Sequence, residues 1–197
     1  MFKKLILCMI AIMFASCANK MNDQEKALRS QLNFSEFRSL IEPASAKQNY
    51  AQTLCKADSE QIGFSCKLAK KKIVSVCLSK DAGESGGYIV YRFGPSADKV
   101  ELTFPADADN SFSQFHFESF LRGGGAGNAG LDLNTLSFQN GGFTYEVFDE
   151  FVAEEGKATR TMGVLAKDKD GKQIFQDTCS NDIVNSIGLF KSLNLPE

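Results

Sequence analysis

From Ile62 onward, apolar residues recur at every second position in short runs divided by turn residues, and this pattern constrains the fold more than any other feature of the chain. Phe64, Cys66 and Leu68 alternate with polar neighbours, as do Val74, Val76 and Leu78, then Ile89, Tyr91 and Phe93, then Val100, Leu102 and Phe104. Phe115, Phe117 and Leu121 form a further run, and Leu131, Leu133 and Phe138 another. A period of two places alternate side chains on one face of an extended strand. Asn140-Gly141-Gly142 precedes Phe143, Tyr145 and Val147, and Asp170-Gly171 separates residues 163–167 from 173–178. Both are hairpin signals, because Asn, Asp and Gly accept positive φ. The expectation is a mainly β domain, an antiparallel barrel or sandwich of about eight or nine strands.

Short helices are expected at both flanks. Asn22 with Glu25 looks like a capping box, Leu28 and Leu32 follow at helical spacing, and Ser35 starts a turn carrying Phe37, Leu40 and Ile41 that Pro43 ends. Residues 44–53 are small and polar and read as a tether. At the other end Ser180 is placed to cap a helix whose apolar face is Ile183, Val184, Ile187 and Phe190, with Lys191 at its negative pole. The expected organisation is a signal segment over 1–16, a helical tether over 17–54, a disulfide-bonded β domain over 55–180 and a C-terminal helix over 181–197.

The first eighteen residues carry Lys3 and Lys4, an uncharged apolar stretch from Leu5 to Phe14, and the small residues Ala15 and Ser16 before Cys17. That is the make-up of a secretory signal peptide, too short for a transmembrane span. Phe14-Ala15-Ser16-Cys17 resembles a bacterial lipobox. The resemblance implies that Cys17 becomes the lipidated, palmitate-bearing first residue, and neutral Ala18 implies sorting to the outer membrane, facing the periplasm. The alternative is ordinary cleavage after Ala18, which would leave a soluble periplasmic protein.

Of six cysteines, Cys8 leaves with the signal segment and Cys17 is lipidated or lost. Cys55, Cys66, Cys77 and Cys179 remain, an even set for an oxidising compartment. A zinc site is the rival reading, but the even eleven-residue steps from Cys55 to Cys66 to Cys77 lack the C-x2-C spacing that sets two thiolates on one ion. Cys66 shares the apolar phase of Phe64 and Leu68, whereas Cys77 is out of phase with Val74, Val76 and Leu78. Opposite faces disfavour a Cys66–Cys77 bond, so the expected pairing is Cys55–Cys77 outside and Cys66–Cys179 joining the first and last strands.

The formal charge of −2 falls to −4 once Lys3 and Lys4 are removed, and the basic residues are scattered, so nucleic acid is not an expected partner. Gly125-Ala126-Gly127-Asn128-Ala129-Gly130 matches G-x-G-x-x-G, but a β-like run follows where a dinucleotide site needs a helix. Residues 123–130 read instead as a flexible hairpin loop able to contact a partner. His116, the one histidine, alternates with Phe115 and Phe117 and is expected to face solvent, a poor supply for nucleophilic catalysis. Asp107, Asp109 and Asn110 lack the EF-hand pattern, Asp168-Lys169-Asp170-Gly171 reads as turn chemistry, and Glu150, Glu154 and Glu155 read as a solvated loop. No metal, cofactor or catalytic residue is assigned.

Phe64-Ser65-Cys66, Ser75-Val76-Cys77, Gly87-Tyr88-Ile89-Val90-Tyr91-Arg92-Phe93-Gly94, Gly123-Gly124-Gly125 and Cys179 together resemble a group of uncharacterised exported, four-cysteine, β-rich proteins of Gram-negative bacteria. That resemblance covers residues 55–180 and implies no activity. Ser85-Gly86-Gly87-Tyr88 faintly resembles the Ser-Gly-x-x-Tyr loop of lipoprotein inhibitors of C-type lysozyme, one residue shorter, and implies contact roles for Ser85 and Tyr88. Candidate partner-binding residues are therefore Ser85, Tyr88, Gly123, Gly124, Gly125 and Asn128. The expected function is a non-catalytic binding module in the cell envelope, an inhibitor or immunity-type protein whose partner is an envelope protein such as an enzyme. The alternatives are an envelope-assembly lipoprotein and a small periplasmic hydrolase.

Overall fold

A computed structural model describes residues 50–83, 86–123, 129–154, 157–193 and 195–196. The expected signal segment and lipid-bearing Cys17, and with them the helices expected before Pro43, lie outside the described residues.

Nine strands form one antiparallel sheet, curled into a half-barrel. They are β1 (Glu60–Leu68), β2 (Ile73–Ser79), β3 (Ile89–Gly94), β4 (Leu102–Phe104), β5 (Phe115–Arg122), β6 (Gly130–Asn140), β7 (Phe143–Glu154), β8 (Lys157–Lys167) and β9 (Gln173–Asn185). Their order is β4-β3-β2-β1-β9-β8-β7-β6-β5, so consecutive strands pair except β4 and β5, and β1 pairs with β9. The cyclic order leaves β4 and β5 as the two edges. That seam is spanned by rings: Phe104 of β4 lies 5.4 Å from Phe115 of β5 and stacks at 4.3 Å on Phe138 of β6. Phe138 also meets Tyr91 and stacks on Tyr145 at 5.0 Å, which makes it the centre of the aromatic core. The Asn140-Gly141-Gly142 signal is realised as a two-residue turn, with Gly141 and Gly142 at φ 60° and 82° between the paired Asn140 and Phe143.

The disulfides join Cys55 to Cys77 and Cys66 to Cys179, the pairing expected from strand phase. Cys77 pairs in register with Ile62 and Val90 on the outer face, away from the rings. That outer face is covered. Leu54 and Cys55 are buried, and the Leu54 N–H donates to Ser75 Oγ at 3.0 Å. Thr53, Ser75 and Ser65 continue a chain of buried hydroxyls, at 3.0 Å and 2.8 Å. The expected tether therefore ends earlier than predicted: residues 50–55 are a 3-10 turn (Tyr50–Gln52) followed by a segment packed on β1–β3.

Three other expectations are corrected. No α-helix occurs among the described residues, so the expected C-terminal flanking helix is not supported. Beyond Ser180 the chain stays in β9 to Asn185, crosses an irregular Asp182 at φ 54°, and then forms the 3-10 helix Ile187–Ser192. Val184 packs outward against the Cys55–Cys77 cluster while Ile187 and Phe190 are buried, so a bulged strand followed by a tight turn imitates a helical spacing. In β6 the inward phase belongs to Asp132, Asn134, Leu136 and Phe138, which leaves Leu131 and Leu133 on the other face. Glu150 and Glu154 belong to β7, not to a loop.

Candidate functional site

Strand direction fixes which connections share an end of the sheet. The antiparallel alternation brings the end of β2, the start of β3, the end of β5, the start of β6, the β7–β8 turn and the 3-10 helix Ile187–Ser192 to one end. The glycine-rich connections 80–88 and 123–129 thus leave the sheet at a common end. The turns 69–72, 95–101, 141–142 and 168–172 lie at the other.

Beside the first of these connections Glu60 and Arg92 form a fully hydrogen-bonded ion pair. Arg92 Nη1 and Nη2 donate to Glu60 Oε2 and Oε1, each at 2.7 Å. Oε2 also accepts the Lys56 N–H at 2.7 Å, and Oε1 accepts the Tyr88 hydroxyl at 3.1 Å. Arg92 Nη1 further reaches the Leu54 carbonyl at 3.0 Å and Cys77 Sγ at 3.4 Å. Burial pushes the Glu60 carboxyl up. Hydrogen bonds from Arg92 and Lys56, the Arg92 charge and the Tyr88 hydroxyl outweigh it and hold the group below the usual carboxylate range. Burial and then the Glu60 charge push Tyr88 and Tyr50 upward. Every oxygen of Glu60 is occupied, so this cluster braces residues 54–56 against β1 and β3. Cys55, Glu60 and Cys77 place their donor atoms within 4.8 Å of one another. The two sulfurs are bonded together and the carboxylate is filled by Arg92, so the donors are not open to an ion.

A second polar group lines the inner face near the same end. Asp149 is buried and accepts from Arg160 Nε at 2.6 Å, from Arg160 Nη2, and from Asn185 Nδ2 at 2.7 Å. Asn134 Nδ2 donates to Asp132 Oδ1 at 2.8 Å. Among the described residues no buried side-chain nitrogen or oxygen lacks a hydrogen-bond partner. Neither cluster was read from the sequence. The available signal was Cys77: a cysteine facing outward and bridged implies a covered outer face, and Arg92 shares that face with Val90.

The sequence-predicted contact residues are only partly brought together. Tyr88 is half-buried with its hydroxyl on Glu60, and Gly123 is exposed at the end of β5. Ser85, Gly124, Gly125 and Asn128 lie outside the described residues. Gly87, at φ 83°, has no room for a side chain: a Cβ would stand 2.5 Å from Ser79 Oγ and 2.6 Å from Ala82 Cα. Gly87 thereby lets the backbone pass close to Ser79 and Ala82 beside Tyr88. His116 is exposed on β5 opposite Ser137. Asp107 Oδ1 accepts the Asp109 N–H, and Asp168 Oδ1 accepts those of Asp170 and Lys172, each at 3.0 Å, so both acidic stretches make turns.

The edge strand β5 carries two adjacent exposed apolar residues. Phe120 is 51% and Leu121 80% exposed. Alongside them is a cleft of about 330 Å³ lined by Phe117, Glu118, Ser119, Phe190, Lys191 and Leu195. The Phe117 N–H donates across the edge to the Pro196 carbonyl at 3.1 Å.

Comparison of the chain with protein-family models, with curated proteins and with solved structures returned no match.

Proposed function

We propose that this chain is a cell-envelope lipoprotein acting as a non-catalytic binding module, an inhibitor or immunity-type protein that masks an envelope protein. In this reading Cys17 carries the lipid, the domain faces the periplasm from the outer membrane, and neither nucleic acid nor a cofactor takes part. The observation that carries the reading is the common end from which connections 80–88 and 123–129 leave a sheet braced by two disulfides. A rigid scaffold presenting neighbouring loops is the usual basis of recognition. The polar groups beside those loops satisfy one another, which supports a structural rather than a chemical role for them.

The test is capture of envelope proteins by the full mature chain, run beside assays of lysozyme inhibition. Shortening the 123–129 connection, and separately replacing residues 84–86, is expected to weaken capture while leaving thermal stability unchanged. Retention of every captured partner by both variants would defeat the choice of contact surface.

A further inference from the structure

We infer that the free edge of β5 pairs with β5 of a second copy, extending the sheet across a two-fold axis. Phe117 turns its N–H outward, to Pro196. In an antiparallel ladder the outward-facing residues alternate. Ser119 and Leu121 therefore also present their backbone groups to the edge, and among the described residues nothing pairs with them there. An unpaired edge with exposed apolar side chains is a template for another strand.

The side chains of β5 specify which strand. In the antiparallel register that sets Phe120 opposite Phe120 of the second copy, Ser119 meets Leu121 and Leu121 meets Ser119, so each outward-facing residue exchanges both backbone bonds. The same register sets Glu118 opposite Arg122, and Arg122 opposite Glu118. Both side chains are exposed on the face that carries Phe120. The strand is thus self-complementary in charge, as a two-fold interface requires. On the opposite face Leu121 of the second copy, standing across from Ser119, enters the cleft floored by Phe117, Phe190 and Leu195. Pro196 ends the pairing at Phe117, because that N–H is already taken. The inference concerns self-association and stands apart from the loop surface proposed above, whose failure would be read in partner capture and not here.

The test is sedimentation of the full chain over a concentration series, with amide hydrogen exchange at β5 as a second readout. The wild type is expected to dimerise, with the Ser119 and Leu121 amides protected as dimer forms. Glu118→Arg and Arg122→Glu each set like charges together at both ends of the pairing and should weaken dimerisation about tenfold. An equal mixture of the two variants places opposite charges together again and should restore dimer. A wild type that stays monomeric, or a dimer indifferent to both reversals, would overturn the inference. So would a monomer whose Ser119 and Leu121 amides become protected only on adding an unrelated extended peptide, which would assign the edge to a foreign strand.

Discussion

The ring of Phe190 occupies the space that a side chain on Gly63 would need: a Cβ there would stand 2.5 Å from Phe190 Cζ and 2.7 Å from Cε1. The absent side chain is what lets the 3-10 helix Ile187–Ser192 lie against β1. Gly63→Ala is expected to cost about 1–3 kcal/mol by overpacking. Phe190→Leu in the same chain should recover part of that loss, a coupling of at least about 0.5 kcal/mol. Chemical denaturation of the single and double variants measures it, and strict additivity would contradict the contact.

Glu60 ties acid stability to the Arg92 brace. Its carboxyl is held below its ordinary 4.5, so its contribution is complete above that pH and disappears as pH falls through the lower folded value. Glu60→Gln leaves the Arg92 charge buried without its counter-charge and is expected to cost about 3–5 kcal/mol at neutral pH. The variant should also lose stability less steeply than wild type below pH 4.5. Unfolding free energies across an acid pH series decide this, and equal acid slopes would argue against the brace.

The two disulfides constrain the unfolded chain unequally, since they span 113 and 22 residues. On loop-closure entropy alone, removing Cys66–Cys179 should cost about 1.4 kcal/mol more than removing Cys55–Cys77. Paired serine substitutions followed by urea denaturation measure the difference. The reverse order would mean that the covering segment held by Cys55 matters more than the loop. Alkylation without reduction should label none of the four cysteines in the native protein.

For Cys17, Cys17→Ala or globomycin is expected to block maturation and shift the protein out of the membrane fraction. A mature chain that begins at Asn19 would refute lipid attachment.

Strand phase was legible where both faces of a strand obeyed a single rule. Cys66 and Cys77 revealed their opposite faces, and with them the disulfide pairing, because Phe64, Cys66 and Leu68 and then Val74, Val76 and Leu78 keep a period of two, although β1 is bulged between Ile62 and Phe64. The phase of β6 was hidden because Asp132 and Asn134 face inward among polar partners, so the apolar Leu131 and Leu133 pointed to the wrong side. The C-terminal helix was misread because the irregular Asp182 shifts the period of β9 within one short segment. Glu60 and Arg92 lie on different strands, and nothing local links them; only the register of β1, β2 and β3 brings them to one outer face.

The line between β4 and β5 has one more consequence. Everywhere else the curled sheet is laced by backbone bonds, whereas this line is fastened by the rings of Phe104, Phe115 and Phe138. The half-barrel is therefore a clasp rather than a hoop. It can widen there without unpicking a single rung, and its girth is set by how aromatic rings nest, not by how many strands surround them.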